Sequence, residues 1–173
     1  YYAALLALER GDEEAAAERL CKETIALAPR ADEAVDARLL LADLLAQRTS
    51  VRDAIGWLSA SYQSANVPWR HRARLAKRLG DFAREEGAYV EAIRWYDEAM
   101  NVLPSLRGEA TYRVASCFED AGDHELAMRW YQVITQPPWS VRGQLALAKL
   151  LERHDRLSEA EAIYERLARE PIP

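Results

Sequence analysis

A short motif recurs along this 173-residue chain at a nearly constant spacing. Its two clearest copies run over 87–96 and 122–131, and in each a glycine is followed five residues later by alanine and then by a Trp-Tyr pair. The same alanine recurs at positions 17, 54, 92, 127 and 160, so the copies are roughly 34 residues apart. A repeat of this length buries its apolar surface only against its neighbours. Five copies therefore predict a chain of stacked helical hairpins.

Within each copy, the apolar residues have the period of two amphipathic helices. In the third copy this period predicts a first helix over about 70–86 and a second over about 89–102. Gly87 and Gly122 lie where a helix must end and the chain must reverse, a place that favours the left-handed backbone angles of glycine. Each copy is therefore predicted to be a pair of antiparallel helices joined by a tight turn.

Further positions of the motif indicate how the helices begin and pack. Ser50 precedes Asp53, and Ser158 precedes Glu161, by the three-residue spacing of a helix N-cap. Small residues recur where two helices are expected to touch, because a large side chain there would overpack the contact. These positions are Gly80, Ala92, Ala115, Ala127, Ala148 and Ala160.

The tryptophans and cysteines are predicted to have structural roles. Trp57, Trp95 and Trp130 occupy one repeat position, so we expect them to pack between repeats rather than to stack on a base or cofactor. Cys21 and Cys117 are about three repeats apart, and stacked helices lie roughly 8–10 Å from one another. A disulfide needs Cα atoms within about 7 Å, so both thiols are predicted to stay reduced.

The sequence here resembles the tetratricopeptide-repeat family. The family pattern is large–small–x–x–large, then a glycine turn, then alanine with an aromatic residue four positions later, then proline. Val114-Ala115 with Phe118 shows the first part, and Pro104 follows Ala92 by twelve residues, where the closing proline stands in the family. The resemblance covers the whole chain as one domain, with copies at about 1–30, 31–67, 68–104, 105–138 and 139–173. It implies an all-α fold, a right-handed α-solenoid of antiparallel helix pairs.

Composition and charge narrow the class of protein. The chain is 50% apolar and 29% charged with a formal net charge of −5, which argues against disorder and against a general nucleic-acid binder. No apolar stretch approaches 18 residues, so no membrane span is predicted. The three histidines lack metal-ligand spacing, and there is no nucleophile motif or phosphate loop. We therefore expect neither an enzyme nor a cofactor or metal site.

The origin and completeness of the chain are indicated only indirectly. Of its 23 basic residues only Lys22, Lys77 and Lys149 are lysines, and such an excess of arginine favours a GC-rich, bacterial coding sequence. The chain opens at Tyr1, without Met and already within an apolar helical pattern, so we expect a fragment of a longer protein. The compartment, bacterial cytoplasm or periplasm, stays open.

A basic segment departs from this acidic average. Five positive charges lie within the ten residues that begin at Trp69, namely Arg70, Arg72, Arg74, Lys77 and Arg78. Two interpretations stand side by side: a solvated helix surface whose long aliphatic stems cover their neighbours, or an acceptor site for an acidic peptide or a phosphate group.

In the tetratricopeptide-repeat family, the first helix of each pair lines a groove that holds a partner's chain. The resemblance therefore implies a partner-binding surface on the first helices of the second to fifth copies, with Asp36, Leu39 and Asp43 as the positions of the second. Together with the basic segment, the predicted contact residues are Arg70, Arg74, Lys77, Arg78, Asp81, Arg84, Glu109, Tyr112, Ser116, Glu119, Arg142, Leu145 and Lys149. The expected partner is another protein or peptide, with an acidic one favoured by the basic third copy.

Two functions of different classes are predicted from these observations. The first is a non-catalytic adaptor that binds a partner segment in its groove. The alternative is a structural piece of a larger envelope or secretion assembly that acts through its repeat ends and can self-associate. RNA binding through the basic segment is a third hypothesis, disfavoured by the net charge of −5.

Overall fold

The fold is entirely helical over residues 1–4 and 14–169, the part of the chain that the computed structural model describes. Two predicted features, the apolar start of the first copy at 5–13 and the chain end at 170–173, lie outside these residues. The chain divides into two compact units, Tyr1–Val102 (unit 1) and Leu103–Pro173 (unit 2). Their boundary falls close to the predicted border between the third and fourth copies, and the prediction of a single domain stays a prediction.

Unit 1 consists of helices that pack in chain order. Each helix contacts the next one, and α2 also contacts α4, so the first helices of the second and third copies lie side by side. The apolar core of this unit forms two clusters, with Leu41 in one and Leu58 and Leu79 in the other, all three almost fully buried. The helices are α1 (Glu14–Leu27), α2 (Asp32–Arg48), α3 (Val51–Gln63), α4 (Trp69–Glu85) and α5 (Tyr89–Val102).

Unit 2 repeats this arrangement with two further helix pairs. Its core includes Met128, Tyr131, Leu147 and Leu151, all of them at most 3% exposed. The first helices of its two pairs, α6 and α8, again contact one another. A 3-10 turn at Pro104–Leu106 leads into α6 (Arg107–Asp120), α7 (His124–Gln132), α8 (Trp139–Arg153) and α9 (Leu157–Arg169).

The turns inside the hairpins have the predicted backbone. Gly87 has φ 75° and Gly122 has φ 82°, both in the left-handed region that favours glycine. In the fifth copy Asp155 adopts φ 57° at the corresponding turn, and aspartate is among the few other residues that occupy this region readily. The turn geometry is therefore retained where the glycine is not.

One of the two predicted N-caps is confirmed and one is wrong. The Ser50 hydroxyl accepts a hydrogen bond of 3.1 Å from the backbone N–H of Asp53 at the start of α3. Ser158 is the second residue of α9, so it lies inside the helix and cannot cap it. A cap that the sequence analysis missed is Asp123, whose carboxylate accepts from the backbone N–H of Leu126 at 3.2 Å.

The predicted small residues lie at buried helix contacts. The five alanines of this set are at most 1% exposed. Gly80 is the tightest position, because a Cβ added there would lie 2.6 Å from Cε1 of Tyr96. Real Cβ atoms do not approach other carbons so closely, so this contact between α4 and α5 requires glycine.

The tryptophans and cysteines also lie where the sequence predicts. Trp57, Trp95 and Trp130 are partly buried against the hydrophobic clusters of their own units. The Trp95 ring meets the Tyr62 ring of the preceding copy edge-on, with centroids 5.2 Å apart. Cys21 and Cys117 are buried thiols without a disulfide bond.

The all-α prediction is confirmed, and the helix bounds predicted for the third copy differ by a residue at most from those of α4 and α5. Among the helices of the described residues, none combines the length and the apolar character that crossing a bilayer requires.

Candidate partner-binding faces

The basic segment of α4 faces a row of carboxylates on α2. Arg74 forms an ion pair with Asp36, and Arg78 donates from Nε to Asp43 at 2.7 Å. At the N-terminal end of α4, Arg70 lies 3.7 Å from Asp32. The first helices of the second and third copies are thus joined by a ladder of opposite charges, which we call the α2–α4 ladder.

The ladder accounts for much of the charge on the predicted acceptor surface. The Arg78 guanidinium also lies over the Phe82 ring, 3.8 Å from its centroid, so its stem covers apolar surface. Asp81 accepts a hydrogen bond of 2.8 Å from the Tyr96 hydroxyl and so holds that buried ring. Lys77 and Arg84 are half-buried on the same helix. A partner-binding role for this surface stays a prediction, and three of its arginines already have carboxylate partners within unit 1.

In unit 2, the predicted residues of two copies converge on one pocket between α6 and α8. The pocket has a volume of about 340 Å³, and we call it the α6–α8 pocket. It brings together five of the seven residues predicted for the fourth and fifth copies, namely Tyr112, Glu119, Arg142, Leu145 and Lys149. Residues 23 to 37 positions apart in the chain therefore share one site because the first helices of adjacent copies pack side by side.

The other two predicted residues of unit 2 lie outside this lining. Ser116 is 6% exposed, and its hydroxyl donates to the Tyr112 carbonyl oxygen at 3.1 Å. Glu109 lies one turn from Arg113 on α6, with 3.7 Å between their charged groups. The first is an interior residue and the second belongs to a pair along one helix.

The wall of the α6–α8 pocket is held by hydrogen bonds to Glu119. The Tyr131 hydroxyl donates to Glu119 Oε2 at 2.8 Å, and Arg153 forms an ion pair with the other carboxylate oxygen. Burial, with the neighbouring Glu119 carboxylate, raises the pKa of Tyr131 well above its usual value, so the phenol stays protonated at neutral pH. The negative charge of Glu119 is thus compensated by side chains of the protein itself, so it has little effect on a ligand in the pocket.

The remaining cations of the pocket have a different environment. Among the described residues, no carboxylate lies within ion-pair distance of Arg142 or Lys149. The Arg142 guanidinium instead lies over the Trp139 ring, 4.6 Å from its centroid. Leu145 is 38% exposed between these two cations on the same helix. The pocket therefore offers positive charge next to an apolar side chain.

Three lining residues escaped the sequence analysis. Tyr131 comes from a second helix, Ala146 lies beside Leu145 on α8, and Arg153 follows the predicted groove positions by a turn of α8. The repeat phase contained a signal for the first: Tyr96 and Tyr131 are equivalent, and both hydroxyls bond to a first-helix carboxylate, Asp81 or Glu119. A larger pocket of about 1010 Å³ lies along α5, with Tyr62, Val90 and Trp95 in its wall, away from the predicted surface.

Within the described residues, no group of three or more His, Cys, Asp or Glu side chains is placed to hold a metal ion.

Comparison with known proteins identifies the repeat and the fold. Residues 1–68 match the model of the tetratricopeptide repeat. The match covers the first two copies, which have the weakest motif by eye. A search of the curated proteins finds no match.

Several solved structures resemble the chain over most of its length. BtubC (BKLC) from P. vanneervenii has a TM-score of 0.70 at 16% identity, covering 98% of this chain and 80% of that one. MamA from Desulfovibrio magneticus RS-1 has a TM-score of 0.69 at 15% identity, covering 96% and 90%. The nearly identical TPR-like repeats of a candidate kinesin light chain from Podosopora anserina have a TM-score of 0.69 at 14% identity, with 96% and 90% covered.

At such low identity, these structures show the fold alone. The family match supplies the sequence link for the first two copies, and the shared fold extends the likeness over most of the chain. Residues 1–68 thus match the tetratricopeptide repeat by sequence, and the chain shares the fold of these repeat structures over most of its length.

Proposed function

We propose that this chain is a non-catalytic interaction module whose α6–α8 pocket binds an acidic segment of another protein. Tetratricopeptide-repeat proteins are typically scaffolds for protein partners, which supports the general class. The observation that carries the specific proposal is the convergence of Arg142, Leu145 and Lys149 on one pocket, next to Tyr112.

The pocket favours a particular partner chemistry. A carboxylate between Arg142 and Lys149 would meet two cations that no described carboxylate neutralises. An apolar side chain next to it would cover Leu145 and the Tyr112 ring. About 340 Å³ is near the lower end of ligand pockets, so it suits one or two side chains rather than a folded surface. The expected partner segment therefore pairs Asp or Glu with a large apolar residue.

The magnitude of the charge contribution is modest. Exposed ion pairs contribute about 0.2–1 kcal/mol each, so two of them change the dissociation constant by roughly 2- to 30-fold. The rest of the affinity must come from apolar contact and from a pocket held in place before binding. The Tyr131–Glu119 hydrogen bond and the Arg153–Glu119 ion pair supply that rigidity.

A display selection tests the proposal without a known partner. A phage library of random peptides is selected against the chain, and enriched peptides are then measured by fluorescence anisotropy. We expect enrichment of sequences in which Asp or Glu adjoins a large apolar residue. The double charge reversal R142E/K149E should raise the dissociation constant of such a peptide by roughly 2- to 30-fold or more, because it removes both ion pairs and adds repulsion.

A matched control separates the pocket from the net charge. Arg107 and Arg129 are exposed arginines of the same unit that do not line the pocket, so R107E/R129E changes the net charge by the same amount. Binding should persist in this control. Equal losses in both double variants, or selection of peptides without acidic residues, would reject the pocket as the site.

A further inference from the structure

A second pocket, in unit 1, contains a buried arginine. It has a volume of about 480 Å³ and lies between the end of α1, the start of α2 and the end of α3. Arg38 lines it and is 4% exposed. Of the described residues that line this pocket, none is acidic and Arg38 is the one with a charge. We call it the Arg38 pocket.

The Arg38 guanidinium has far more donors than partners. Its Nη1 donates to the Pro29 carbonyl oxygen at 3.1 Å, and no described carboxylate lies within ion-pair distance. A guanidinium carries five N–H donors in a planar fork. No other Arg38 nitrogen is both fully buried and without a partner, so the remaining donors keep some exposure where Arg38 lines the pocket.

The other arginines of the neighbouring first helix show how unusual this is. Arg70, Arg74 and Arg78 of α4 all have a carboxylate of α2 within reach. Arg38 is buried more deeply than any of them, and burial lowers its pKa because desolvation disfavours the cation. A buried charge without a counter-charge is costly, so its retention calls for an explanation.

The repeat itself does not require an arginine here. Arg38 lies three residues before the large–small pair Leu41-Ala42, and the equivalent positions of the later copies hold Ala76, Thr111 and Gln144. None of these residues is charged. The fold therefore accepts a small or neutral side chain at this position, and the charge of Arg38 serves something other than helix packing.

The rest of the pocket wall fits an anion that carries an organic group. The lining includes three polar residues, Ser61, Ser64 and Asn66. Ile25 and Trp57 add apolar surface to it. The Ser64 hydroxyl accepts from the backbone N–H of Asn66 at 3.3 Å, which leaves its own hydrogen available to donate.

We propose that the Arg38 pocket binds an organic phosphate, with the phosphate on the Arg38 fork and the organic part against Trp57 and Ile25. The planar fork matches the oxygens of a phosphate or carboxylate. The number of donors around it suits the three oxygens of a phosphate monoester better than the two of a carboxylate. The volume is within the range of small-molecule pockets and much larger than the anion alone needs. This site is separate from the α6–α8 pocket and does not depend on the function proposed for it.

Thermal unfolding and calorimetry with defined probes test this site. Phenyl phosphate, inorganic phosphate and benzoate are added at constant ionic strength. We expect phenyl phosphate to raise the melting temperature and to bind with a measurable heat, because a ligand of the folded state alone stabilises it. Its affinity should exceed that of inorganic phosphate and of benzoate by at least tenfold.

Three variants identify the group responsible. Arg38→Gln keeps a donor for the Pro29 carbonyl, matches the residue of the fifth copy and removes the charge, so it should weaken phenyl phosphate at least tenfold. Arg52→Gln changes an arginine whose side chain is 87% exposed and should bind as the parent does. Ser61→Asp adds a carboxylate to the pocket wall and should abolish binding even if Arg38→Gln fails to fold.

The proposal is overturned if phenyl phosphate leaves the melting temperature of the parent unchanged. It is also overturned if the parent and the folded Arg38→Gln variant, or the parent and Ser61→Asp, bind phenyl phosphate equally. Equal affinity for benzoate would reject phosphate as the ligand class. Equal affinity for inorganic phosphate would reject the part assigned to Trp57 and Ile25.

Discussion

The contact between Gly80 and Tyr96 gives the sharpest test of the packing described here. A Cβ at Gly80 would lie 2.6 Å from Cε1 and 2.8 Å from Cδ1 of the Tyr96 ring. The ring is fully buried, and its hydroxyl is held by the 2.8 Å hydrogen bond to Asp81. It therefore has no free space into which to move, so the substitution Gly80→Ala must displace helix α4 from α5.

The magnitude follows from two opposing terms. Alanine is favoured over glycine in a helix interior by roughly 0.5–1 kcal/mol, while overpacking a core costs about 1–3 kcal/mol. Gly56 supplies the matched control, since it lies within α3 of the same unit and a Cβ there would meet nothing within 4 Å. Gly56→Ala should thus stabilise the protein. The propensity term is common to both variants, so the difference between them isolates overpacking and should be about 1–3 kcal/mol.

Urea unfolding followed by circular dichroism measures both variants against the parent. We expect the unfolding midpoint of Gly56→Ala to be higher than that of the parent. The midpoint of Gly80→Ala should lie well below the midpoint of Gly56→Ala. A partner substitution checks the cause: in the Tyr96→Leu background, the same Gly80→Ala change should cost less, because the ring has been removed. Equal midpoints for the two alanine variants would refute the claim that this helix contact requires glycine.

Three further predictions concern the turns, the phenols and the thiols. Because Gly87 has φ 75°, Gly87→Ala should lower the free energy of unfolding by about 1–2 kcal/mol and Gly87→Asn by less; equal losses in urea unfolding would contradict this. Burial, aided by Glu98, raises the pKa of Tyr62 from 10.0 to about 12, so the unfolded state loses this proton first. Melting temperature should then fall as the pH rises through that interval, and less steeply in Tyr62→Phe. Cys21 and Cys117 are buried, so a thiol reagent should react with them only after unfolding, and prompt reaction of the native protein would count against that burial.

The sequence was most informative where one residue meets a local requirement. The turns at Gly87 and Gly122 need a left-handed residue, and both the position and the reason could be predicted from the repeat. The fifth copy shows the limit of that inference, since Asp155 occupies the same conformation without the glycine. The Ser158 prediction failed because cap spacing fits any pair three residues apart, and α9 begins at Leu157, two residues before the start that a Ser158 cap would give.

Charge partners were beyond the reach of such local patterns. Arg74 and Asp36 are 38 residues apart, and their ion pair exists because α2 and α4 pack side by side. The sequence analysis predicted the bounds of α4 to within a residue but assigned the charge of the basic segment to an external partner as one of two interpretations. Whether an arginine is available to a ligand depends on the neighbouring copy, and the pattern within a single copy does not contain that information.

This dependence on the neighbouring copy also explains why the α6–α8 pocket lies where it does. A cation on the first helix of a copy forms an ion pair where the first helix of the preceding copy places a carboxylate next to it, as Asp36 does for Arg74. The carboxylate that lines the pocket with Arg142 and Lys149, Glu119, is already engaged by Tyr131 and Arg153. In a solenoid of this kind, a charged ligand thus binds where the charged side chains of adjacent copies do not pair with one another. Only at such positions does a charge of the protein stay available for an ion pair with a ligand.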